Sequence, residues 1–498
     1  MTSNSREPLG DVAAAEMRAH LHRVADWVAD YREGIAGRRI VPDVEPGDIS
    51  AQLASSMPEE GEALDTILAD FDTQVMPGIV HWGHPAFLGY FGSTSNGPAL
   101  LGEVLAAALN VSAMTWKTSP AATELETLVL AWIRDLVGLP AEMFGIVYDT
   151  ASVAVLHALA AARETACPGV RERGVAGRDD VPVMRVYASE QAHSSVDKAM
   201  VMLGLGEDNV VRIACDADYR MEVSALRRAM DQDVALGYRP MAVIATVGTT
   251  SSGSVDPVAR IAEVCSEYGA WLHVDAAYGG AMGALPEARW VTSGCERANS
   301  IVVNPHKWLF VPLDFSTLYV RDPELLRVVF ANTAEYLRGD ASVSGGGTDV
   351  VNYMDYGIQL GRRFRALKAW IVLRAFGREG IAARIREHCR LARVFASWID
   401  AAPSFELVAP VVMAVVCFRY LPADMDADAA DAFNVRVVER VNASGEAYIT
   451  HTRLAGRACM RIGVGNIATT EEHLAHVWSC VRREVATLVQ HGFPLSRE

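Results

Sequence analysis

The sequence predicts an α/β protein built on a largely parallel, doubly wound sheet and followed by a smaller α+β domain. Two observations lead there. From residue 145 onward, short apolar segments alternate with amphipathic ones, the pattern of strands that cross to parallel neighbours through helices. The segment NSIVVNPHKWLF, residues 299–310, then sets a lysine just beyond an apolar strand, Ile301–Val303, after a turn through Asn304 and Pro305. Sheets of this kind bind ligands at the carboxyl ends of their strands.

The elements follow in order. Residues 15–36, AEMRAHLHRVADWVADYREGIA, put Leu21, Val24, Trp27, Val28 and Tyr31 on one helical face, so this helix needs a partner surface. A Pro-rich connector, VPDVEPG, and short helices lead to the aromatic, turn-rich HWGHPAFLGYFGSTSNGPAL. A second helix is expected from Ser119 and Pro120 through AATELETLVLAWIRDLVGL, with the serine as cap and the proline in the first turn. GIVYDTASVAVLHALAAARE reads as a turn and then a helix. VMRVYAS, MAVIATVG, AWLHVDAA and SIVVN read as strands, separated by the helices SSVDKAMVMLG and VARIAEVCSEYG. A long helix, LGRRFRALKAWIVLRAFG, leads out of this unit; RIREHCRLARVFASWID and the strand VVMAVVCFRYL belong to the smaller domain. The stretch 338–357, RGDASVSGGGTDVVNYMDYG, is Gly/Ser-rich at its centre and reads as a flexible loop.

Composition narrows the function. A chain of 498 residues with 51% hydrophobic and 21% charged residues has room for several cores. Its net charge, 45 − 61 = −16, is spread without blocks, which argues against nucleic acid and against an anionic membrane as partners. The N-terminal residues lack the apolar core of a signal peptide, and no apolar run reaches membrane-spanning length, so a cytoplasmic location is expected. Eight cysteines occur without a C-x-x-C, so reduced cysteines and no metal site are expected.

Only four of the 45 basic residues are lysines, Lys117, Lys198, Lys307 and Lys368. A lysine kept against such an arginine bias suits work that a guanidinium cannot do, such as losing its proton and attacking a carbonyl. Lys307 shares the strand ends with Asp275, closing AWLHVD, with His193 in EQAHSS, and with Thr150, Ala151 and Ser152, which open a helix. Singly, each has a plain structural explanation as a cap or a packed polar residue. Together they suit pyridoxal 5′-phosphate: an amine for its aldehyde, a carboxylate for its pyridine nitrogen, a helix N-terminus for its phosphate and an imidazole for its ring.

The segments HPAFLGYF, SPAATELE, EQAHSSVDKA, HVDAAYGGA, NPHKWL and LGRRFRALK resemble the group II pyridoxal-phosphate-dependent decarboxylases, in particular the aromatic-L-amino-acid decarboxylase branch. The resemblance implies a fold-type I enzyme with a mainly parallel seven-stranded sheet flanked by helices. It implies three parts: an N-terminal helical dimerisation segment (1–90), a large cofactor-binding domain (91–385) and a small C-terminal α+β domain (386–498). By the same resemblance Lys307 is the Schiff-base lysine, Asp275 the partner of the pyridine nitrogen and His193 the ring-stacking histidine. Thr150, Ala151, Ser152 and His306 are cofactor or phosphate contacts, Thr250 and Ala277 line the ring, and Tyr353 is the catalytic tyrosine that reprotonates the substrate carbon.

Trp82, Phe87, Tyr90 and Phe91 offer aromatic surface for a substrate ring, and Met114 is expected in the substrate pocket with them, in a segment, NVSAMTW, that lacks the aromatic of many relatives. Asp149 and Val153 depart from the family pattern at the phosphate turn; an added carboxylate there is unfavourable unless it points away from the phosphate. The implied assembly is a homodimer with its active site at the interface. The expected reaction is decarboxylation of tryptophan, phenylalanine, tyrosine or a derivative to the amine. An oxygen-consuming aldehyde synthase and a non-catalytic cofactor-binding paralogue are the alternatives.

Overall fold

The computed structural model describes residues 11–92, 94–331, 350–422 and 425–491. Seven strands form the large sheet: β1 (Phe144–Tyr148), β2 (Met184–Ser189), β3 (Val210–Ile213), β4 (Arg239–Thr246), β5 (Trp271–Asp275), β6 (Ser300–Val303) and β7 (Ser316–Val320). Their spatial order is β1-β7-β6-β5-β4-β2-β3. β7 runs antiparallel to both its neighbours, and all other pairs are parallel. The sheet is therefore mainly parallel, and six of its strands point their carboxyl ends to one edge. β5 and β6 are buried along their whole length, which is why they read as continuous apolar runs rather than alternating ones.

Three strands escape the sequence reading. GIVY was expected as a turn, yet Phe144–Tyr148 is a strand paired with β7, and the helix begins only at Ala151. The sequence reading passes over β3 and β7 as well. All three are four or five residues long, and the sheet rather than their own propensity makes them strands.

The small domain is a four-stranded antiparallel sheet of β8 (Phe405–Leu407), β9 (Val415–Tyr420), β10 (Thr450–Leu454) and β11 (Arg457–Gly463), in the order β10-β11-β9-β8. Helices Ala427–Ser444 and Glu471–Gln490 pack with it. The long helix Ala366–Asp400 joins the two domains and breaks at Gly377, whose φ of 63° is a left-handed value that glycine tolerates. Residues 86–90 bind the small sheet through the backbone: Leu88 N–H donates to the Tyr448 carbonyl (2.8 Å), and Tyr448 N–H to the Ala86 carbonyl (3.1 Å).

The N-terminal helix spans Ala14–Gly34 and buries none of its residues. Leu21 and Val24 on its apolar stripe are 49% and 40% exposed. The second helix starts at Pro120, but Ser119 does not cap it; its hydroxyl donates instead to the Ser112 carbonyl at 2.7 Å. No helix of the described residues is long and apolar enough to cross a membrane. The Gly/Ser-rich centre of 338–357 lies outside the described residues. Tyr353 is described, and it is no part of an open loop: it is 2% exposed in a short 3-10 turn, Tyr353–Tyr356.

Candidate active site

The carboxyl ends of the strands bring most of the expected residues together. β5 ends in the buried Asp275, whose Oδ1 accepts from the Ala277 N–H at 3.1 Å. In the sheet register Thr246, the last residue of β4, lies directly beside Asp275. β6 runs into Asn304 and a single helical turn, Pro305–Trp308, that carries His306 and Lys307. Two bonds pin this turn and its cap from the start of β7 and the residue before it: the Phe315 N–H donates to His306 Nδ1 (3.1 Å), and the Ser316 hydroxyl to Asn304 Oδ1 (2.6 Å).

Lys307 Nζ stands 5.0 Å from the centre of the Phe91 ring. Burial lowers its pKa; Asp275 opposes that and Arg461 adds to it. Among the described residues it forms no ion pair. The same burial drives His306 down to about 3, so this imidazole is neutral and acts as an acceptor. His193 follows β2 in the turn before helix Ser195–Met202; its Nδ1 accepts from the Ser195 N–H at 3.1 Å. One side of His193 is open to solvent, while its shielded side lowers its pKa, with Asp275 opposing and Lys307 assisting.

At the end of β1 the helix Ala151–Ala166 presents an open N-terminus. Thr150 occupies the cap position without a side-chain cap bond, and Thr150 and Ser152 are exposed. Asp149 pairs with Arg365, and Gln359 Nε2 donates to its Oδ2 at 2.7 Å. Arg365 also pairs with Asp314 at 3.0 Å. Val153 serves its own helix, its carbonyl taking a 2.7 Å bond from His157 Nδ1.

A pocket of about 440 Å³ opens between Phe91, Thr250, Tyr448, Thr452 and Arg461; Lys307 does not line it but stands over the ring of Phe91, which does. Two of its lining rings have aromatic partners outside it: Trp82 stacks on Tyr90 (5.3 Å between centres) and the buried Phe87 on Tyr448 (4.7 Å). The structure does not bring Met114 or Tyr353 here. The Met114 carbonyl takes a bond from the Met354 N–H (3.2 Å), and the Tyr353 hydroxyl meets Thr127 Oγ1 (2.9 Å). The Tyr353 ring lies under the Arg362 guanidinium, 4.8 Å away.

Sequence reasoning missed Arg461, which is 4% exposed and lies 4.8 Å from the Phe91 ring centre. Its guanidinium donates to the carbonyls of Tyr90 (2.8 Å) and Ser251 (3.1 Å), while Nη2 is buried without a partner. The signal was present: a lone arginine inside the apolar strand segment CMRIGV.

A model of the pyridoxal-dependent decarboxylase conserved domain matches residues 46–421. The chain belongs to the pyridoxal-dependent decarboxylase family. It is 36% identical over 493 residues to tryptophan decarboxylase 1 of Oryza sativa subsp. japonica, covering 96% of this chain and 95% of the relative. It is 35% identical over 497 residues to phenylacetaldehyde synthase of Arabidopsis thaliana, covering 98% and 100%. The crystal structure of Oryza sativa TDC with PLP and tryptamine superposes with a TM-score of 0.90 at 36% identity, covering 97% of this chain and 100% of that one. The decarboxylase is thus a fold-type I, pyridoxal-phosphate-dependent carboxy-lyase.

Its buried polar atoms fit that cofactor. Thr246 Oγ1 beside Asp275 and Ser195 Oγ beyond His193 are both buried and lack any hydrogen-bond partner. Such atoms cost free energy unless something satisfies them. Lys307, partly shielded and without an ion pair among the described residues, is held near Asp275, and the N-terminus of helix Ala151–Ala166 leaves its first N–H groups for a phosphate.

Proposed function

We propose that this decarboxylase converts an aromatic L-amino acid to its amine and carbon dioxide. The observation that carries the reading is the pocket lined by the rings of Tyr90, Phe91 and Tyr448, of which Phe91 also lies under Lys307 Nζ. Offset and tilted ring pairs stabilise a planar side chain beyond the area they bury. Relatives named for tryptophan and tyrosine support it.

Bound pyridoxal phosphate supplies the electron sink for the pair left when the carboxylate departs. Lys307 would hold the cofactor aldehyde, and its lowered pKa favours the neutral amine that must attack. Asp275 would keep a proton at the pyridine nitrogen, and His193 would stack on the ring. Thr150, Ala151, Ser152 and His306 would hold the phosphate end; Thr250 and Ala277 would line the ring. Arg461 and the aromatic wall orient the substrate and exclude water.

Tyr353 is the proton donor in this reading. Burial raises its pKa and keeps the phenol protonated, but it lies apart from Lys307, so it would serve the site of a second copy after leaving Thr127. The homodimer this requires would cover the exposed Leu101, Val104 and Leu105 of helix Gly97–Leu109, together with the stripe of the N-terminal helix.

The same placement of Tyr353 supports the second reading, an aldehyde synthase that consumes oxygen, and one relative bears such a name. The test is to supply holoenzyme with a panel of aromatic L-amino acids and measure amine, aldehyde and peroxide, with Lys307→Ala alongside. Amine without peroxide, abolished in the variant, is the expected result. Aldehyde with peroxide selects the second reading, and no turnover of any aromatic substrate overturns both.

A further inference from the structure

Helix Glu471–Gln490 carries His476 and Cys480 one turn apart, hence on one face. Opposite them stands Glu446, on the turn after helix Ala427–Ser444. The three donor atoms form a nearly equilateral triangle: His476 Nε2 to Cys480 Sγ is 3.7 Å, Cys480 Sγ to Glu446 Oε2 is 3.8 Å, and Glu446 Oε2 to His476 Nε2 is 3.9 Å. A tetrahedral ion seated on such a triangle lies about 2.3 Å from each corner, at the long end of the roughly 2.0–2.3 Å at which zinc takes nitrogen, oxygen and sulfur donors.

The third donor is presented from a fixed turn. Gly445 has φ 75°, and a Cβ there would meet Arg39 at 2.4 Å. Arg39 Nη1 and Nη2 donate to the carbonyls of Ser444 (2.8 Å) and Ala443 (2.6 Å), and the Ile40 N–H to that of Gly445 (2.8 Å). Cys480 is fully buried, while Glu446 and His476 are exposed. The cluster is therefore closed from the interior and open outward, which leaves a fourth position for water. Arg483 competes for the carboxylate, with Nη2 2.7 Å from Oε1 and Nη1 3.3 Å from Oε2. Its shorter bond is to Oε1, and Oε2 is the atom that faces His476 and Cys480.

We propose that Glu446, His476 and Cys480 form a binding site for a borderline-soft divalent cation of the zinc class, separate from the Lys307 site. An imidazole with a thiolate selects such an ion over magnesium or calcium, which prefer oxygen donors. On binding, the Cys480 S–H bond gives way to a sulfur–metal bond and the proton leaves to solvent, with no change of oxidation state. The ion clamps the C-terminal helix to a turn two residues before Tyr448, whose hydroxyl meets that of Tyr90 (3.1 Å) in the aromatic wall.

The experiment uses cobalt(II) as the probe on chelator-treated holoenzyme. Saturable binding of one equivalent is expected, with tetrahedral visible bands and a thiolate-to-cobalt charge-transfer band that zinc abolishes. His476→Ala, an exposed change, weakens binding roughly tenfold or more, and Cys480→Ser removes the charge-transfer band. His491→Ala, elsewhere on the surface, leaves both unchanged. A cobalt spectrum without the charge-transfer band, or uptake as tight in His476→Ala as in the unaltered protein, overturns the site.

Discussion

Lys307 and Arg461 stand over the same ring. Lys307 Nζ lies 5.0 Å and the Arg461 guanidinium carbon 4.8 Å from the centre of Phe91. A permanent cation that close disfavours the ammonium form of the lysine. Arg461→Gln is therefore expected to raise the Lys307 pKa. Because only the neutral amine attacks an aldehyde, the acid limb of the rate at which apoenzyme takes up pyridoxal phosphate moves to higher pH in the variant. An unmoved limb means that burial alone sets the lysine.

Tyr353→Phe removes one hydroxyl from a buried ring and leaves its packing intact. If Tyr353 delivers the proton to the substrate carbon, amine formation falls roughly 10²–10⁴-fold while cofactor absorbance is kept, and aldehyde with peroxide replaces the amine. Unchanged amine output assigns the proton to another donor.

Glu126 and Arg362 form a buried pair, 2% and 4% exposed, with Arg362 Nη1 3.0 Å from Glu126 Oε2. Arg362 also donates to the carbonyls of Ala113 and Val147, both at 3.0 Å, tying strand β1 to the segment that holds Met114. Glu126→Ala strands a buried guanidinium and is expected to cost about 3–5 kcal/mol, read as a lowered thermal midpoint. A midpoint within a degree of the parent would show that solvent reaches the arginine.

Three histidines are buried and held at a pKa of about 4 against an ordinary 6.5: His157, His273 and His388. The unfolded chain binds protons that these sites refuse. Stability is therefore full above 6.5 and is lost as the pH falls from 6.5 toward about 4, with a combined effect on the order of several kcal/mol. Thermal midpoints across pH 4–7 check the slope. His388→Phe, which gives up the bond from Trp308 Nε1 (3.0 Å) but keeps an aromatic in place, makes it shallower.

Much of the site is readable in the sequence because its residues end apolar strands. Asp275 and Lys307 follow the buried runs of β5 and β6, where a charge stands out. Arg461 is harder to find, since its strand belongs to the small domain and meets the site only after folding. β1, β3 and β7 are too short to announce themselves, and their partners lie far away in sequence. Tyr353 shows the limit most clearly. Its neighbours in the chain suggest an open loop, yet Thr127, Phe144 and Arg362 gather around it in space.

β7 has a further consequence for how the enzyme assembles. It runs against the other six strands, so its first residue rather than its last reaches the ligand edge. The chain comes to it from β6 by the return Asn304–Phe315 and never leaves that edge of the sheet. β4 and β5, by contrast, are joined by a crossover through helix Val258–Tyr268. Closing a short return sacrifices little chain entropy, whereas a crossover must order a whole helix before its strands can meet. The corner that carries the lysine is thus the most sequence-local pairing of the large sheet, and the β1–β7 pair next to it, which brings together the two ends of the domain's chain, is the least.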